Sequence, residues 1–350
     1  MSTTLDAAQV RSDDLAAAID VAPTAYRMLT GDRPTGDLHI GHYLSSLRAR
    51  VALQDRGVDS LVLIADYQVI TDRDSVGRIR DNVLSLMADY LALGIDPSRS
   101  IVFAHSAVPA LNQLMLPFLS LVTNAELERN PTVKDELLAS NRPLSGLLLT
   151  YPVHQAADLL FCKATVVPVG RDQLPHLEQA RVIARRFNTR FADGRTVFPE
   201  PVALLNDQQL ILGLDGAKMS KSRGNTIALG ASAEETARLI RGARTDAEAL
   251  ITFEPERRPE VANLLTIAAG FTGTDPQTLA DQVGDTGGRG LKALVTEAVN
   301  EGLREHRARR ATFAADPAQL LAVLRDGNDR ASAIAETTLA EVREAMGMDY

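Results

Sequence analysis

The sequence contains little that would cross-link the chain or carry it into a membrane. Its 350 residues include a single cysteine, Cys162, no tryptophan and only 4% aromatic residues. One cysteine excludes an internal disulfide and fits a reducing, cytoplasmic setting. No apolar run approaches the roughly 18 residues that a membrane span needs, and the first residues lack the basic-then-apolar pattern of a secretory signal. We therefore expect a cytoplasmic protein without a membrane segment.

The charge balance limits the kind of nucleic-acid partner that the chain could have. The formal net charge at pH 7 is -8, which argues against a protein that coats DNA or other long nucleic acids. Phosphate binding depends on local cation density, so a basic face could still serve one RNA partner. Arginines on helical faces are more often solvated surface, which is the simpler interpretation of either arginine cluster alone. The two clusters are Arg181, Arg185, Arg186, Arg190 and Arg195, and Arg304, Arg307, Arg309 and Arg310.

Hydrophobic patterning divides the chain into three parts. A length of 350 residues with 45% hydrophobic content predicts two domains with a substantial core. Residues 1–24 mix Ser, Thr, Asp and Ala and are expected to form a flexible N-terminal extension, which could include a short Ala-rich helix. Residues 25–230 alternate strand-like and helix-like runs. Residues 231–350 lose the strand-like runs and are expected to form a helical second domain.

The middle part has the pattern of a doubly wound, parallel α/β sheet. The run at 61–65 is continuously apolar, as in strands that are buried on both faces. Strands are predicted at 26–30, 61–65, 101–103 and 165–169. Helices are predicted from residue 40 to Gly57, from about 75 to 93, over 109–138 and after Gly170.

The first motif with chemical content is His39-Ile40-Gly41-His42, at the start of the first helix of the sheet domain. Backbone N–H groups and the helix dipole favour an anion at such a position. Gly36 and Gly41 would allow close approach of a nucleotide, and the imidazoles can donate to phosphate oxygens. Taken alone, the motif is equally compatible with a helix cap that has incidental histidines.

The second motif is Lys218-Met219-Ser220-Lys221-Ser222, in a Gly-rich segment. Two lysines on a mobile loop can close on a triphosphate and stabilise the charge that grows as pyrophosphate departs. A solvated basic loop is the simpler interpretation of paired lysines alone. Both motifs in this order, far apart in one chain, are much harder to obtain by accident.

These two motifs resemble the HIGH and KMSKS signatures of class I aminoacyl-tRNA synthetases. Residues 146–160, 167–178 and 245–248 resemble the tryptophanyl-tRNA synthetases within that class, and the resemblance extends from about Tyr26 to the C-terminus. It implies a Rossmann-like catalytic domain over 25–230 and an α-helical domain over 231–350 that binds the tRNA anticodon.

The resemblance also implies the reaction. Such enzymes activate L-tryptophan with ATP, release pyrophosphate, and transfer tryptophan from the adenylate to tRNA(Trp), usually as homodimers. Positioning and charge stabilisation dominate this chemistry, so no nucleophile or general base is assigned. Lys218 and Lys221 would stabilise the leaving group, and His39 and His42 would hold phosphates. Mg²⁺ would arrive with ATP, because the sequence has no His/Cys cluster of the kind that holds a metal ion.

Site residues follow from the same resemblance. Asp158 would accept the indole N–H, and a buried carboxylate suits a ring nitrogen that only donates. Tyr151 and Val167 would line the indole pocket, Gln173 would bind the ammonium or carboxylate, and Asp172 would take the ribose hydroxyls. The expected ATP contacts are Arg33, Pro34, Thr35, Gly41, His42, Gly170, Arg171, Asp172, Ile211, Lys218, Met219, Ser220, Lys221 and Ser222.

Three positions depart from the family pattern around the substrates. Arg171 stands where an acidic residue is common, Gln155 where an apolar one is usual, and Gln68 where a histidine often lies near the indole. Gln155 and Gln68 are therefore included in the tryptophan pocket, although Gln155 also resembles a residue of tyrosyl-tRNA synthetases. A tyrosyl enzyme, an auxiliary paralogue that activates an aromatic amino acid, and an RNA-binding regulator without catalysis remain open alternatives.

Overall fold

A computed structural model describes residues 2–71, 78–140, 143–205, 211–220 and 223–350. Its centre is one five-stranded sheet in the order β3-β2-β1-β4-β5, and every strand pair is parallel. The strands are β1 (Arg27–Asp32), β2 (Asp59–Ile64), β3 (Ser100–Ala104), β4 (Val166–Val169) and β5 (Val202–Leu205). The doubly wound α/β fold is confirmed, and β5 is a strand that the sequence pattern did not identify.

Helices cover both faces of the sheet and form all the regular structure described after residue 232. The chain from Ile40 to Arg56 runs as α2, a π-helical turn over Tyr43–Leu47, and α3. The helices up to β5 are α1 (Ser2–Val21), α2 (Ile40–His42), α3 (Arg48–Arg56), α4 (Ile79–Leu93), α5 (Pro109–Gln113), α6 (Met115–Leu119), α7 (Asn124–Arg129), α8 (Pro131–Ser140), α9 (Gly146–Phe161) and α10 (Leu174–Phe191). Those that follow are α11 (Ala233–Arg241), α12 (Pro259–Thr272), α13 (Pro276–Val283), α14 (Gly287–Ala314) and α15 (Pro317–Ala345).

The core lies on the two faces of the sheet because the central strands alternate their apolar side chains between them. Val62 and Ile64 of β2 belong to a cluster with α4, α12 and α14. Leu61 and Leu63 belong to the other cluster, which is shared with α5, α9 and α10. Burial on both faces explains the unbroken apolar run of β2, and it holds the carboxyl ends of the strands on a rigid base.

The N-terminal segment differs from the expected flexible extension over 1–24. It forms the 20-residue helix α1, which packs along the edge strand β5. Leu15 and Ile19 are buried with Met28 and Val166 of the sheet. The Ser12 hydroxyl accepts a 2.8 Å hydrogen bond from the backbone N–H of Leu205. The Ser, Thr and Asp content suggested disorder, but the apolar side chains of α1 have β5 and its neighbours to pack on.

The helical C-terminal part shares its core with the sheet. The last helix, α15, lies on β3, where a side chain at Gly327 would overlap the carbonyl oxygen of Val102. The Asn328 side chain accepts a 3.0 Å hydrogen bond from the backbone N–H of Ala104. Among the described residues the part after 232 forms only helices, as expected, and its last helix packs back on the sheet.

Two of the predicted helices have different bounds in the structure. The helix predicted from about residue 75 begins at Ile79, and 72–77 lie outside the described residues. The helical stretch predicted over 109–138 is divided into four short helices, α5 to α8. Within the described part of the chain, every helix is too short or too polar to traverse a lipid bilayer.

Candidate active site

The sheet order places a crevice between the carboxyl ends of β1 and β4. The chain leaves β1 towards β2 on one side, whereas it leaves β4 towards β5 on the other. Open α/β sheets bind ligands at such a switch point. Residues 33–42 follow β1 and residues 170–173 follow β4. Both segments assigned to ATP therefore begin at the same opening.

The two histidines of the first motif fix each other at the start of α2. The backbone N–H of His39 donates to Nδ1 of His42 at 3.2 Å, and the His39 side chain accepts from the backbone N–H of His42. Their ring centroids are 3.7 Å apart. Because Nδ1 of His42 accepts, a neutral ring carries its proton on Nε2, the tautomer that can donate to a phosphate oxygen.

The second motif lies directly against the first. A Cβ on Gly41 would be 2.8 Å from Sδ of Met219 and 3.0 Å from the His39 ring. Only a glycine allows this approach without displacing one of them. Met219 is buried, which accounts for one apolar residue between polar neighbours. The structure thus joins the two motifs that the sequence separates by most of the catalytic domain.

A short antiparallel bridge reinforces this junction. The backbone N–H of Ile40 donates to the carbonyl of Ile227 at 3.0 Å, and the N–H of Leu229 donates to the carbonyl of Leu38 at 2.9 Å. These four side chains are all buried. The segment that follows the lysine motif is therefore held by backbone hydrogen bonds on the start of α2.

Asn225 organises the loop that carries the lysines. Its Nδ2 donates to Oδ1 of Asp215 at 2.7 Å and to the carbonyl of Lys218 at 3.1 Å, while its Oδ1 accepts from the N–H of Ser220 at 2.9 Å. The hydrogen bond from Asn225, with one from the Ala217 N–H, lowers the pKa of Asp215. Lys218 is exposed, and Lys221 and Ser222 lie outside the described residues.

The turn after β4 is compact and reaches the N-terminal helix. A Cβ on Gly170 would lie 2.7 Å from Oδ1 of Asp172, whose other oxygen accepts from Gln173 Nε2 at 3.1 Å. Arg171 donates to Oε1 of Gln9 on α1 at 2.8 Å. The arginine that departs from the family pattern therefore contacts α1. Asp172 is exposed at this opening, where a ligand hydroxyl could reach it.

A buried ion pair supports the end of β1. Arg50 of α3 binds Asp32 through two nitrogens, at 2.5 and 3.2 Å, and the Tyr90 hydroxyl donates to the same carboxylate at 2.6 Å. Burial alone would raise the pKa of Asp32, but the Arg50 guanidinium outweighs it and holds that pKa well below its usual range. The network is a structural support for the turn that leads to the histidine motif.

Asp158 lies on one face of α9 with Tyr151 and Gln155, at spacings of four and three residues along the helix. The Asp158 carboxylate is buried, and its Oδ1 lies 2.7 Å from Nε2 of His105, which follows β3. The family resemblance did not identify His105. Its ring lies 4.6 Å from that of His154, whose Nε2 is 2.7 Å from Oδ1 of Asn112.

His105, His154 and Asp158 are also the group in the described chain that could hold a metal ion, since a ligand atom from each lies within 4.8 Å of the others. The sequence predicted no protein-held metal. The Asn112 amide nitrogen donates to two backbone carbonyls, so its oxygen accepts from His154. Because both Nε2 atoms are engaged as donors, the geometry describes hydrogen-bonded side chains around Asp158 rather than a metal site.

The remaining tryptophan-site predictions lie on β4, after β2 and on α9. Val167 is buried in β4, and Gln68 lies in a 3-10 turn after β2. The Tyr151 hydroxyl is 3.3 Å from Nε2 of His176. Burial lowers the pKa of His176 to about 4 and raises that of Tyr151. Both side chains are therefore neutral at pH 7, as suits an aromatic pocket.

The predicted ATP contacts after β1 form a fixed turn. Asn82 of α4 donates to the carbonyl of Pro34 at 2.9 Å, and the Thr35 N–H donates to the carbonyl of Arg33 at 2.8 Å. Arg33 also lies 3.5 Å from Glu136 of α8. Ile211 is buried beside the lysine loop. The described structure thus places each of these residues at the crevice or on the loop that borders it.

The arginine clusters are largely neutralised. A cavity of about 520 Å³ lined by Arg185, Arg186 and Arg190 lies outside the crevice, and the first two arginines are paired with Glu178, Glu200 and Glu126. In the second cluster, salt bridges join Arg304 to Glu301, Arg309 to Glu305 and Arg310 to Asp89. The interpretation as solvated, paired surface is consistent with these contacts.

Sequence reasoning missed His105, His154, Asn112 and Asn225. One signal for His105 was available, because it directly follows a buried strand and functional side chains gather at the carboxyl ends of parallel strands. Asn225 follows the lysine motif, but its bonds to both arms of the loop depend on the folded turn.

Comparison with known proteins agrees with this geometry. Residues 23–304 match the family model for class I tRNA synthetases specific for W and Y. A protein of Clostridium longisporum named tryptophan–tRNA ligase is 41% identical over 335 residues, covering 92% of this chain and 97% of that protein. A tryptophan–tRNA ligase of Treponema pallidum is 40% identical over 336 residues, with 92% and 97% coverage.

A solved structure shows the same fold with ligands. The tryptophanyl-tRNA synthetase of Campylobacter jejuni, crystallised with ADP and tryptophan, is 32% identical and superposes with a TM-score of 0.79, covering 92% of this chain and 99% of that one. The family match spans both motifs and most of the helical part. The chain therefore belongs to the class I tRNA synthetases of the tryptophan and tyrosine family.

Proposed function

We propose that this chain is a tryptophan–tRNA ligase, which forms tryptophanyl-adenylate and pyrophosphate from L-tryptophan and ATP and then acylates tRNA(Trp). The observation that carries the proposal is the contact between Gly41 and Met219, which brings the two nucleotide-handling motifs to one crevice. The relatives with 40–41% identity are named for tryptophan, which favours this substrate over tyrosine.

The first step uses the crevice to hold the two substrates in line. Mg-ATP is the substrate, with its phosphates near His39 and His42 and its ribose at Asp172. The tryptophan carboxylate attacks the α-phosphate, the bond to the bridging oxygen breaks, and pyrophosphate leaves. Lys218 and Lys221 stabilise the negative charge on the departing group, because charge placed where it develops lowers the barrier.

The amino acid would be recognised by side chains of α9, of β4 and of the turn after β4. A buried carboxylate at Asp158 would accept the indole N–H, with Tyr151 and Val167 against the ring and Gln173 on the polar end of the substrate. Gln155 and Gln68 make this pocket more polar than the family pattern. Replacing Asp158 with Ala is expected to raise the tryptophan KM strongly and to leave the ATP KM nearly unchanged.

The proposal also includes tRNA binding and the assembly of two copies. Helices α11–α15 would bind the tRNA anticodon, as the family resemblance implies. A cytoplasmic homodimer is proposed from the family resemblance. The exposed side chains of Leu116 and Leu138 are apolar surface that a second copy could cover.

Amino-acid-dependent ATP–pyrophosphate exchange tests the activity, run separately with each of the twenty amino acids. Exchange with tryptophan alone is the expected result. Exchange with tyrosine alone would overturn the substrate, and no exchange with any amino acid would favour an RNA-binding regulator. Acylation of tRNA(Trp) then separates a ligase from an auxiliary enzyme that activates tryptophan for another purpose.

A further inference from the structure

The side chains of His105 and Asp158 are both buried where they meet. The two side chains are 0% and 3% exposed, and Nε2 of His105 lies 2.7 Å from Oδ1 of Asp158. An ionised carboxylate only accepts hydrogen bonds. His105 is therefore the donor, through an Nε2–H. Among the described residues this is the one side-chain hydrogen bond that the Asp158 carboxylate receives, so Oδ2 is left to accept from a ligand.

The other atoms of His105 favour the same tautomer. Nδ1 is buried and has no hydrogen-bond partner among the described residues. A proton on Nδ1 would be a buried, unsatisfied donor, which costs free energy, whereas the Nε2–H tautomer leaves only a lone pair there. The ring also packs beside two aromatic neighbours, with centroid distances of 4.6 Å to His154 and 6.3 Å to Tyr67.

The backbone of His105 is held as firmly as the ring. Its carbonyl accepts a 2.8 Å hydrogen bond from Asn112. The next residue, Ser106, is bound through both its N–H and its hydroxyl to the Asp66 carboxylate, which follows β2. Hydrogen bonds thus join the turns after β2 and β3 next to the imidazole. This arrangement gives His105 a defined direction towards α9.

We propose that His105 is a positioning residue for substrate selection, which holds the Asp158 carboxylate so that Oδ2 accepts the N–H of the amino-acid side chain. Without the bond at Oδ1, the carboxylate could turn about its Cβ–Cγ axis, and its alignment with a ring N–H would be lost. The inference rests on the proposed function, because it takes Asp158 as the group that binds the indole nitrogen.

The test compares tryptophan with 3-(benzothiophen-3-yl)alanine, in which sulfur replaces the indole N–H. The measurement is the ratio of kcat/KM for the two amino acids in pyrophosphate exchange. His105→Leu is expected to reduce that ratio about 10- to 100-fold, the range for one hydrogen bond to a charged group, with the ATP KM within about twofold. His105→Gln keeps a side-chain N–H donor and is expected to restore most of the ratio.

A matched control separates positioning from general damage. His306 also forms a buried pair with a carboxylate, 3.2 Å from Oδ1 of Asp89, outside the crevice. His306→Leu is expected to lower the melting temperature and to leave the substrate ratio unchanged. A reduced ratio in His306→Leu would overturn the proposal, because destabilisation alone would then explain the effect.

The remaining outcomes distinguish this proposal from the proposed function. If the wild-type protein supports no tryptophan-dependent exchange, the function itself fails. If Asp158→Asn loses discrimination against the sulfur analogue while His105→Leu keeps it, the function stands and the role of His105 is wrong. A His105→Gln variant that behaves like His105→Leu would likewise contradict a role as hydrogen-bond donor.

Discussion

Gly41 packs directly against Met219: a Cβ on Gly41 would lie 2.8 Å from the methionine sulfur and 3.0 Å from the His39 ring. The histidine motif and the lysine motif therefore constrain each other through packing. The buried side chain of Met219 anchors the lysine motif, while Lys218 stays exposed.

Gly41→Ala should test this contact. The added methyl group forces Met219 or the His39 ring to move by a few tenths of an ångström, and the expected result is a tryptophan-activation rate about 10- to 100-fold lower. Pyrophosphate exchange gives the rate. Gly146→Ala is the control, because its Cβ would meet nothing within 4 Å and it should retain wild-type exchange. A normal rate for Gly41→Ala would mean that this packing does not position the loop.

Lys221→Ala should lower the activation rate by roughly a hundredfold or more, as loss of a charge aimed at a transition state does. Lys221 lies outside the described residues, so this prediction rests on the motif. Lys292→Ala is a suitable control, because Lys292 lies on α14 and donates to the carbonyl of Arg241. Single-turnover kinetics of adenylate formation would measure both variants, and equal rates would exclude a catalytic role for the loop lysine.

Asp32→Asn should destabilise the fold by about 3–5 kcal/mol, because it leaves the buried Arg50 cation without its anionic partner. Tyr90→Phe removes only one hydrogen bond to the same carboxylate and should cost about 1 kcal/mol. Urea unfolding at pH 7 would rank the two variants. Similar losses for both would show that the ion pair contributes little.

The pH dependence of stability follows from the same group. The pKa of Asp32 is lowered in the folded protein, so its stabilising contribution is complete above its unfolded pKa of about 3.9. The contribution is lost as pH falls below about 4 towards the folded pKa. The free energy of unfolding should therefore decrease more steeply with acid in the wild type than in Asp32→Asn. Parallel curves would contradict the depressed pKa.

Ile19→Ala should lower the free energy of unfolding by about 2–5 kcal/mol if α1 is an integral part of the fold. Ile19 is fully buried, whereas Val10 on the same helix is 59% exposed. Val10→Ala should therefore change stability by no more than about 0.5 kcal/mol. Thermal unfolding of both variants provides the comparison. An unchanged melting temperature for Ile19→Ala would indicate that the segment is an appendage after all.

The sequence by itself determined the parallel α/β architecture, the helical C-terminal part and the two motifs, because each depends on residues close together in the chain. The apolar run of β2 and the Lys218–Ser222 motif are complete as local patterns. The order of those motifs and the similarity around Asp158 were enough to identify the family. These conclusions needed local patterns and their order along the chain, but no contact between distant residues.

Only the tertiary structure decided which distant groups meet. His105 and Asp158 are 53 residues apart, and no local pattern reveals that a histidine after β3 donates to a carboxylate on α9. The packing of α1 on β5 and of α15 on β3 likewise depends on surfaces that exist only once the sheet has formed. Local side-chain patterns thus identified the family of this protein, while burial and strand order decided how the Asp158 carboxylate is held.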